Sequence, residues 1–357
     1  MPESPEQPSS ITWPSSKRAA AFEQWLTPLV PLHGLQPASL RTASSDASFR
    51  RYLRLDAASA ASGSLIVMDA PPPQEDVRPF VAVARQLEKA RLNAPRVLAH
   101  CAEHGFLLLT DLGSTLMLPA LTEASARGDD AGAAQLMRAA GSTLIDWQQR
   151  IDASPLPPFD DALLRRELAL FPDWCLAHEL KVQWSSEEHA IWDTSCDLLV
   201  TSALAQARVA VHRDYMPRNL MVTADGPGIL DFQDAVNGPI GYDVASLIRD
   251  AFLSWDEAVE IDIVVRYWQQ ARQAGLPVPD DFGEFWRQVE WIGLQRHLKV
   301  LGIFCRLKHR DGKPRYSEDM PRFFRYAHHV ASRYNPLRPL SRLLEPLMGA
   351  VRIEAYY

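Results

Sequence analysis

The sequence predicts an α+β protein of two lobes, a small β-rich lobe followed by a larger, mostly helical one. Three observations predict it. Strand-like apolar runs crowd into the first third, helical periodicity dominates the remaining two thirds, and 357 residues exceed the ~100–200 that one core usually organises. The boundaries read as a tail over 1–16, a small lobe over 17–112 and a large lobe over 113–357.

The tail repeats Pro, Ser and Glu, a composition that buries little apolar surface and predicts a frayed end. From Lys17 to Val30, Phe22, Trp25, Leu26 and Leu29 share one helical face, the first packed element. Between about Leu40 and Val67 the pattern turns strand-like, with Tyr52, Leu53 and Leu55 in one run and Leu65, Ile66 and Val67 in another, closed by Pro71-Pro72-Pro73. Val77, Phe80, Val81, Ala84 and Leu87 then recur at helical spacing, and Phe106 to Leu109 is a short buried strand ending at Thr110-Asp111-Leu112-Gly113.

Beyond Gly113 the stripe Leu136, Ala140, Leu144, Trp147, Ile151 marks a helix, and further helices are predicted over 161–179, 186–206, 256–274, 281–307 and 320–336. Three short strand-like pieces interrupt them, at 209–211, 220–222 and 228–230.

Composition narrows the function. No run of ~18 apolar residues spans a membrane and no signal peptide pattern opens the chain, so a soluble, cytosolic protein is expected. Cys101, Cys175, Cys196 and Cys305 lie far apart with no CxxC spacing, which argues against a zinc site or a disulfide framework. The net charge is −7, yet residues 287–342 hold 13 Lys and Arg against 4 Asp and Glu. With an overall pI of 5.8, that basic stretch reads as a local pocket for an anion rather than a nucleic-acid surface.

The chemistry concentrates in residues 211–231, VHRDYMPRNLMVTADGPGILD. Alone, Asp214 would read as a turn cap, Asn219 as a left-handed turn residue and Asp231 as a strand end. Together they form the set phosphoryl transfer needs: a carboxylate to orient a hydroxyl and take its proton, then an amide oxygen and a carboxylate as ligands for a hard cation. The spacing H-x-D-x-x-x-x-N and a following Asp is that of a kinase catalytic loop. Asp214 is therefore the expected base, Asn219 and Asp231 the expected metal ligands, and His212 a brace for the loop.

After Asp231 the chain reads Phe232-Gln233-Asp234, then Gly238-Pro239-Ile240-Gly241-Tyr242-Asp243-Val244-Ala245. Across about 35 residues this resembles the aminoglycoside phosphotransferase and choline kinase superfamily. The resemblance implies a bilobal protein-kinase-like fold, with a small antiparallel-sheet N-lobe and a larger, mostly helical C-lobe, and it implies ATP and Mg²⁺. It places Asp243 at the start of a large-lobe helix, where a simple helix-capping role is expected, Thr110 and Leu112 at the adenine-holding hinge, and the segment containing Ser48, Arg50 and Arg51 over the phosphates. One departure stands out. The strand Leu65 to Asp69, where the family keeps a lysine, reads Leu-Ile-Val-Met-Asp, and no Glu stands placed in the next helix to pair with one; Arg50 or Arg51 is left to meet the phosphates.

Further stretches, including Phe171-Pro172-Asp173-Trp174 and Trp291 to Phe304, resemble one branch of that superfamily, the anomeric amino-sugar kinases acting on N-acetylmuramate and N-acetylglucosamine in cell-wall recycling. This implies an amino-sugar substrate and a 1-phosphate product passed to a uridylyltransferase, with no nucleic-acid or membrane partner. Arg296 or Lys299 fits a lactyl carboxylate, Trp174 or Trp291 a sugar face, and Gln233 is a further substrate contact. Two alternatives remain: a small-molecule kinase of aminoglycoside, choline or homoserine type, and a kinase-like scaffold without catalysis, against which Asp214, Asn219 and Asp231 all argue.

Overall fold

A computed structural model describes residues 11–45, 49–250 and 252–354. The chain divides into two compact units, one formed by residues up to 117 together with 219–234, the other by 118–218 and 235–357.

The first unit opens with helix α1 (Ser16–Leu26), whose first turn is capped by the Ser15 hydroxyl accepting from the Arg18 N–H at 3.1 Å, and a short α2 (Leu29–His33). Strands β1 (Arg41–Ser45), β2 (Arg51–Asp56), β3 (Ser64–Asp69), β4 (Val97–Cys101) and β5 (Phe106–Thr110) form an antiparallel sheet in the order β1-β2-β3-β5-β4, with α3 (Arg78–Lys89) between β3 and β4. In the β2–β3 register Leu53 faces Val67 and Leu55 faces Leu65, so the period of two puts these side chains on one face. That face packs against Phe22 and Leu26 of α1. Burial of each such leucine contributes about 1.5–3 kcal/mol. The rim of the same face is ionic: Asp69, 1 % exposed, is paired with both Arg18 and Arg51.

In the second unit α4 (Met117–Ala126) is followed by α5 (Asp130–Arg150), α6 (Asp161–Leu170) and a π-helical stretch, Phe171–Leu180. The single helix predicted over 161–179 is thus two pieces. Pro172 has no N–H to continue the α-helical ladder, and the wider turn begins there. Next come α7 (Ser186–Ala205), with a Ser185/Glu188 capping box, and strand β6 (Arg208–Val211).

Residues 219–234 belong to the first unit. Strands β7 (Leu220–Met221) and β8 (Gly228–Ile229) pair with each other, and the segment is tied down by Asn93, whose side-chain amide donates to Thr223 at 2.8 Å and whose carbonyl accepts from Ile229 at 2.8 Å. Phe232 packs on Phe80 of α3 with ring centroids 4.6 Å apart.

Strand β9 (Val236–Pro239) pairs antiparallel with β6 in the second unit, followed by α8 (Tyr242–Ile248), α9 (Glu257–Gln273), α10 (Phe282–His309), α11 (Met320–Arg333) and α12 (Arg338–Glu354). Helix α10 is the central element: 28 residues, hence about 42 Å long, and buried almost continuously from Val289 to Cys305. A helix apolar on most sides must be surrounded by others. At Gly302 a Cβ would lie 2.3 Å from the backbone of Leu170, so only glycine lets α10 approach the end of α6 this closely. Strands β4 and β9 and helices α4 and α12 are additions to the elements expected from sequence; alternating exposed residues in β4 and the Asn237-Gly238-Pro239 sequence of β9 carry little strand signal.

Candidate active site

The candidate residues fall in both units, and each unit's set is described by itself. In the second unit β6 delivers the chain to His212-Arg213-Asp214. Asp243, fully buried in the first turn of α8, accepts the backbone N–H of His212 at 2.7 Å and of Arg213 at 3.0 Å. Its expected role as a helix cap is therefore corrected: its two oxygens hold the loop. Burial pushes the Asp243 carboxyl up to about 6, against the pull of His212 and the two amides. The clamp keeps Arg213 at φ 78°, a left-handed conformation that costs a non-glycine residue on the order of 1–3 kcal/mol.

His212 is buried, packed 5.3 Å from the Trp147 ring and 5.7 Å from Tyr215, and its Nδ1 accepts the Asp214 N–H at 3.3 Å. These contacts suit a brace. Trp147 in turn donates to the Ala210 carbonyl at 2.9 Å, and Tyr215 to that of Ala140 at 2.8 Å, which anchors the loop to α5.

Beneath the loop lies a charge cluster that sequence reading missed. The Arg213 guanidinium donates to Glu167 of α6. Glu167 also receives Lys299 at 3.1 Å and the Gln295 amide at 3.1 Å, both from α10, and Lys299 donates to the Tyr242 hydroxyl at 3.1 Å. Glu167 is 4 % exposed and Lys299 7 %. Burial disfavours both charges, but each is outweighed by its partners: Glu167 is held below its ordinary carboxylate value by Lys299 and Arg213, and Lys299 above its ordinary value by Glu167 and Tyr242. Lys299 is thus paired inside the protein with Glu167 and Tyr242.

Asp214 feels this cluster. Burial alone would raise its pKa, yet Lys299 and Arg296, then His212 and Arg213, hold it below the usual value, so the carboxylate is ionised and weakly basic. Arg296 is 3 % exposed, and its Nη1 has no hydrogen-bond partner among the described residues. A buried guanidinium N–H without an acceptor is costly, and an anionic group would satisfy it. Trp291 is buried at 7 %, with Arg287 over its ring and Tyr334 edge-on at 5.7 Å; it is a core residue, not an open stacking face. Trp174 is half-buried, stacked on His178 at 4.8 Å.

In the first unit Asn219 and Asp231 bracket the β7–β8 pair, and the Leu230 N–H donates to the Asn219 carbonyl at 3.0 Å. Asp231 adopts φ 60°, and Gln233 donates to it at 3.0 Å and to Asp234 at 3.1 Å. An amide and a carboxylate on adjoining ends of one strand pair suit a hard divalent cation, whose ligands are oxygens.

Arg50 and Arg51, adjacent in sequence, take different partners. Arg51 donates to Asp69 at 3.0 Å and to the Thr12 carbonyl at 2.8 Å. Arg50 donates to Glu75 at 3.0 Å and lies 3.5 Å from Asp231. Glu75 precedes α3 rather than lying in it. Thr110 ends β5, its N–H donating to the Arg96 carbonyl at 3.0 Å and its hydroxyl accepting the Arg96 N–H at 2.9 Å, while Leu112 is half-buried. Ser48 lies outside the described residues.

A third set of ligand-type groups, Glu257, Glu290 and His329, lies within metal-ligand reach of one another, but Arg333 pairs with both glutamates and Arg249 with Glu290. It is an ion-pair network.

Residues 39–282 match the phosphotransferase enzyme family. A Pseudomonas aeruginosa protein named N-acetylmuramate/N-acetylglucosamine kinase is 52 % identical over 311 residues, 87 % of this chain and 89 % of its own. A Pseudomonas putida protein of the same name is 48 % identical, over 88 % of this chain and 90 % of its own. Among solved structures, choline kinase LicA from Streptococcus pneumoniae aligns with a TM-score of 0.61 over 89 % of this chain and 100 % of that one, at 13 % identity, a likeness of fold alone. With the antiparallel five-stranded sheet, the helical second unit and the clamped His-Arg-Asp loop, the match over more than half its length shows that this chain belongs to the phosphotransferase enzyme family.

Proposed function

We propose that the chain transfers the terminal phosphate of ATP to the anomeric hydroxyl of N-acetylmuramate and N-acetylglucosamine, in the cytoplasm, giving the 1-phosphate that a uridylyltransferase consumes in peptidoglycan recycling. The observation that carries the reading is the cation-rich setting of Asp214, next to the shared name of relatives about half identical to this chain. An anomeric hydroxyl is more acidic than an ordinary alcohol, so a carboxylate of lowered basicity suffices to orient it and take its proton. The same cations repel a polycationic aminoglycoside or a choline headgroup and favour a neutral or anionic sugar.

Asp214 accepts the hydroxyl proton as the sugar oxygen bonds to phosphorus and the bond to the leaving ADP oxygen breaks. Arg296, rather than Lys299, is the partner for the lactyl carboxylate, with Trp174 and Gln233 as further substrate contacts. Asn219 and Asp231 would hold Mg²⁺, which supplies positive charge to the phosphates. Thr110 and Leu112 flank the adenine. No described helix is long and apolar enough to cross a membrane.

The test is a ³¹P NMR spectrum of the product with each sugar. Coupling of the new phosphorus to the anomeric proton is expected. Turnover with kanamycin or choline and none with N-acetylated sugars would replace the assignment with another small-molecule kinase.

A further inference from the structure

Kinases of this architecture neutralise nucleotide phosphates with a lysine on the third strand, oriented by a glutamate of the following helix. In β3 (Ser64–Asp69) no lysine exists; Val67 and Met68 are buried and Asp69 is committed to Arg18 and Arg51. The need for a phosphate-facing cation remains.

Within the first unit one arginine has the connections such a group requires. Arg50 donates through Nε to Glu75 at 3.0 Å, and its Nη1 lies 3.5 Å from Asp231, the expected metal ligand. Both ends of the Arg50–Glu75 pair are partly accessible, at 14 % and 15 % side-chain exposure. The neighbouring arginines of β2 are engaged elsewhere: Arg51 with Asp69, and Arg54 with Asp111 and the Gly113 carbonyl. Alternation explains the difference between Arg50 and Arg51, since successive residues entering a strand project to opposite faces. A guanidinium carries five donors in a rigid fork, so one edge can be fixed by a carboxylate while others meet phosphate oxygens.

We propose that Arg50 is the phosphate-binding cation of the nucleotide site and Glu75 its positioning residue, an Arg–Glu pair across the β2 and α3 entrances serving in place of the lysine on β3. The assignment rests on the nucleotide part of the proposed function and is independent of which acceptor is phosphorylated.

The experiment is calorimetric binding of ADP, AMP and adenosine to the full chain, with Mg²⁺ and with EDTA, in the absence of acceptor. For Arg50→Met, ADP affinity should fall at least about tenfold, the loss of one charge-assisted contact, while adenosine affinity stays within about twofold, inside the ~0.5 kcal/mol scatter of a neutral substitution. Arg50→Lys should recover part of the loss. Glu75→Gln should weaken ADP in the same phosphate-dependent manner by a smaller factor, and the double variant Arg50→Met/Glu75→Gln should bind no worse than Arg50→Met. If Arg50→Met does not fold, Arg50→Lys and Glu75→Gln carry the same phosphate-dependence test. Equal weakening of ADP and adenosine, or unchanged ADP binding, would overturn the assignment and leave the pair a structural tie. Wild-type protein that bound no nucleotide would overturn the kinase reading and this proposal with it.

Discussion

The candidate residues of the two units are set among charges of opposite sense. Around Arg50 in the first unit one cation meets three carboxylates, Glu75, Asp231 and Asp234. Around Glu167 in the second unit one carboxylate meets two cations, Arg213 and Lys299, with Arg296 adding a third near Asp214. The first corner is partly open, Asp231 showing 29 % side-chain exposure, whereas Glu167 shows 5 %. An open, acid-rich corner suits cation and phosphate handling. A closed, cation-rich cluster suits positioning, because its members satisfy one another and leave a field rather than a binding group.

The largest effect should come from the residue that feels the second cluster. Asp214→Asn should lower turnover by about 10²–10⁴, the usual weight of a general base, with ADP affinity nearly unchanged. Near-normal turnover in single-turnover assays would remove Asp214 from the chemistry. Next, Glu167→Gln leaves Arg213 and Lys299 buried without their shared counter-charge and should cost about 3–5 kcal/mol of stability, read by urea unfolding. The matching change in the open corner, Asp231→Asn, should leave unfolding within about 1 kcal/mol, as expected of exposed ion pairs, yet abolish the Mg²⁺ dependence of ADP binding. Equal destabilisation by the two would erase the contrast between positioning and ligand handling.

The smallest effect sharpens the electrostatics. Asp214 is held low in part by Lys299, and a base works above its pKa. Lys299→Met removes a cation that favours the ionised form, so the pKa of Asp214 rises and the acid limb of the pH profile of kcat/KM moves toward neutral pH. A limb that stays in place, or moves to lower pH, would separate Lys299 from the field at Asp214.

Much of the molecule is legible in its sequence. The spacing of His212, Asp214, Asn219 and Asp231 points to a phosphotransfer loop because those residues lie within one short segment. The alternation around Leu53, Leu55, Leu65 and Val67 marks strands because side-chain direction is a local property. Less legible is Asp243, which has the sequence position of a helix cap and instead holds two loop amides from 30 and 31 residues away. Trp291 and Lys299 have the chemistry of surface groups for a sugar, but α10 is enclosed on nearly all sides and both are buried.

What the sequence determined by itself is therefore the inventory and its local geometry: family, most strands and helices, and the candidate loop around Asp214. What only the tertiary structure decided is which charge meets which. Glu167 and Gln295 are 128 positions apart, and Arg50 and Glu75 are 25 apart, each preceding a different element. Ion pairing needs proximity in space and leaves no periodicity in the chain, so the partners of Arg50, Arg51 and Lys299 emerged only once helices and strands had packed.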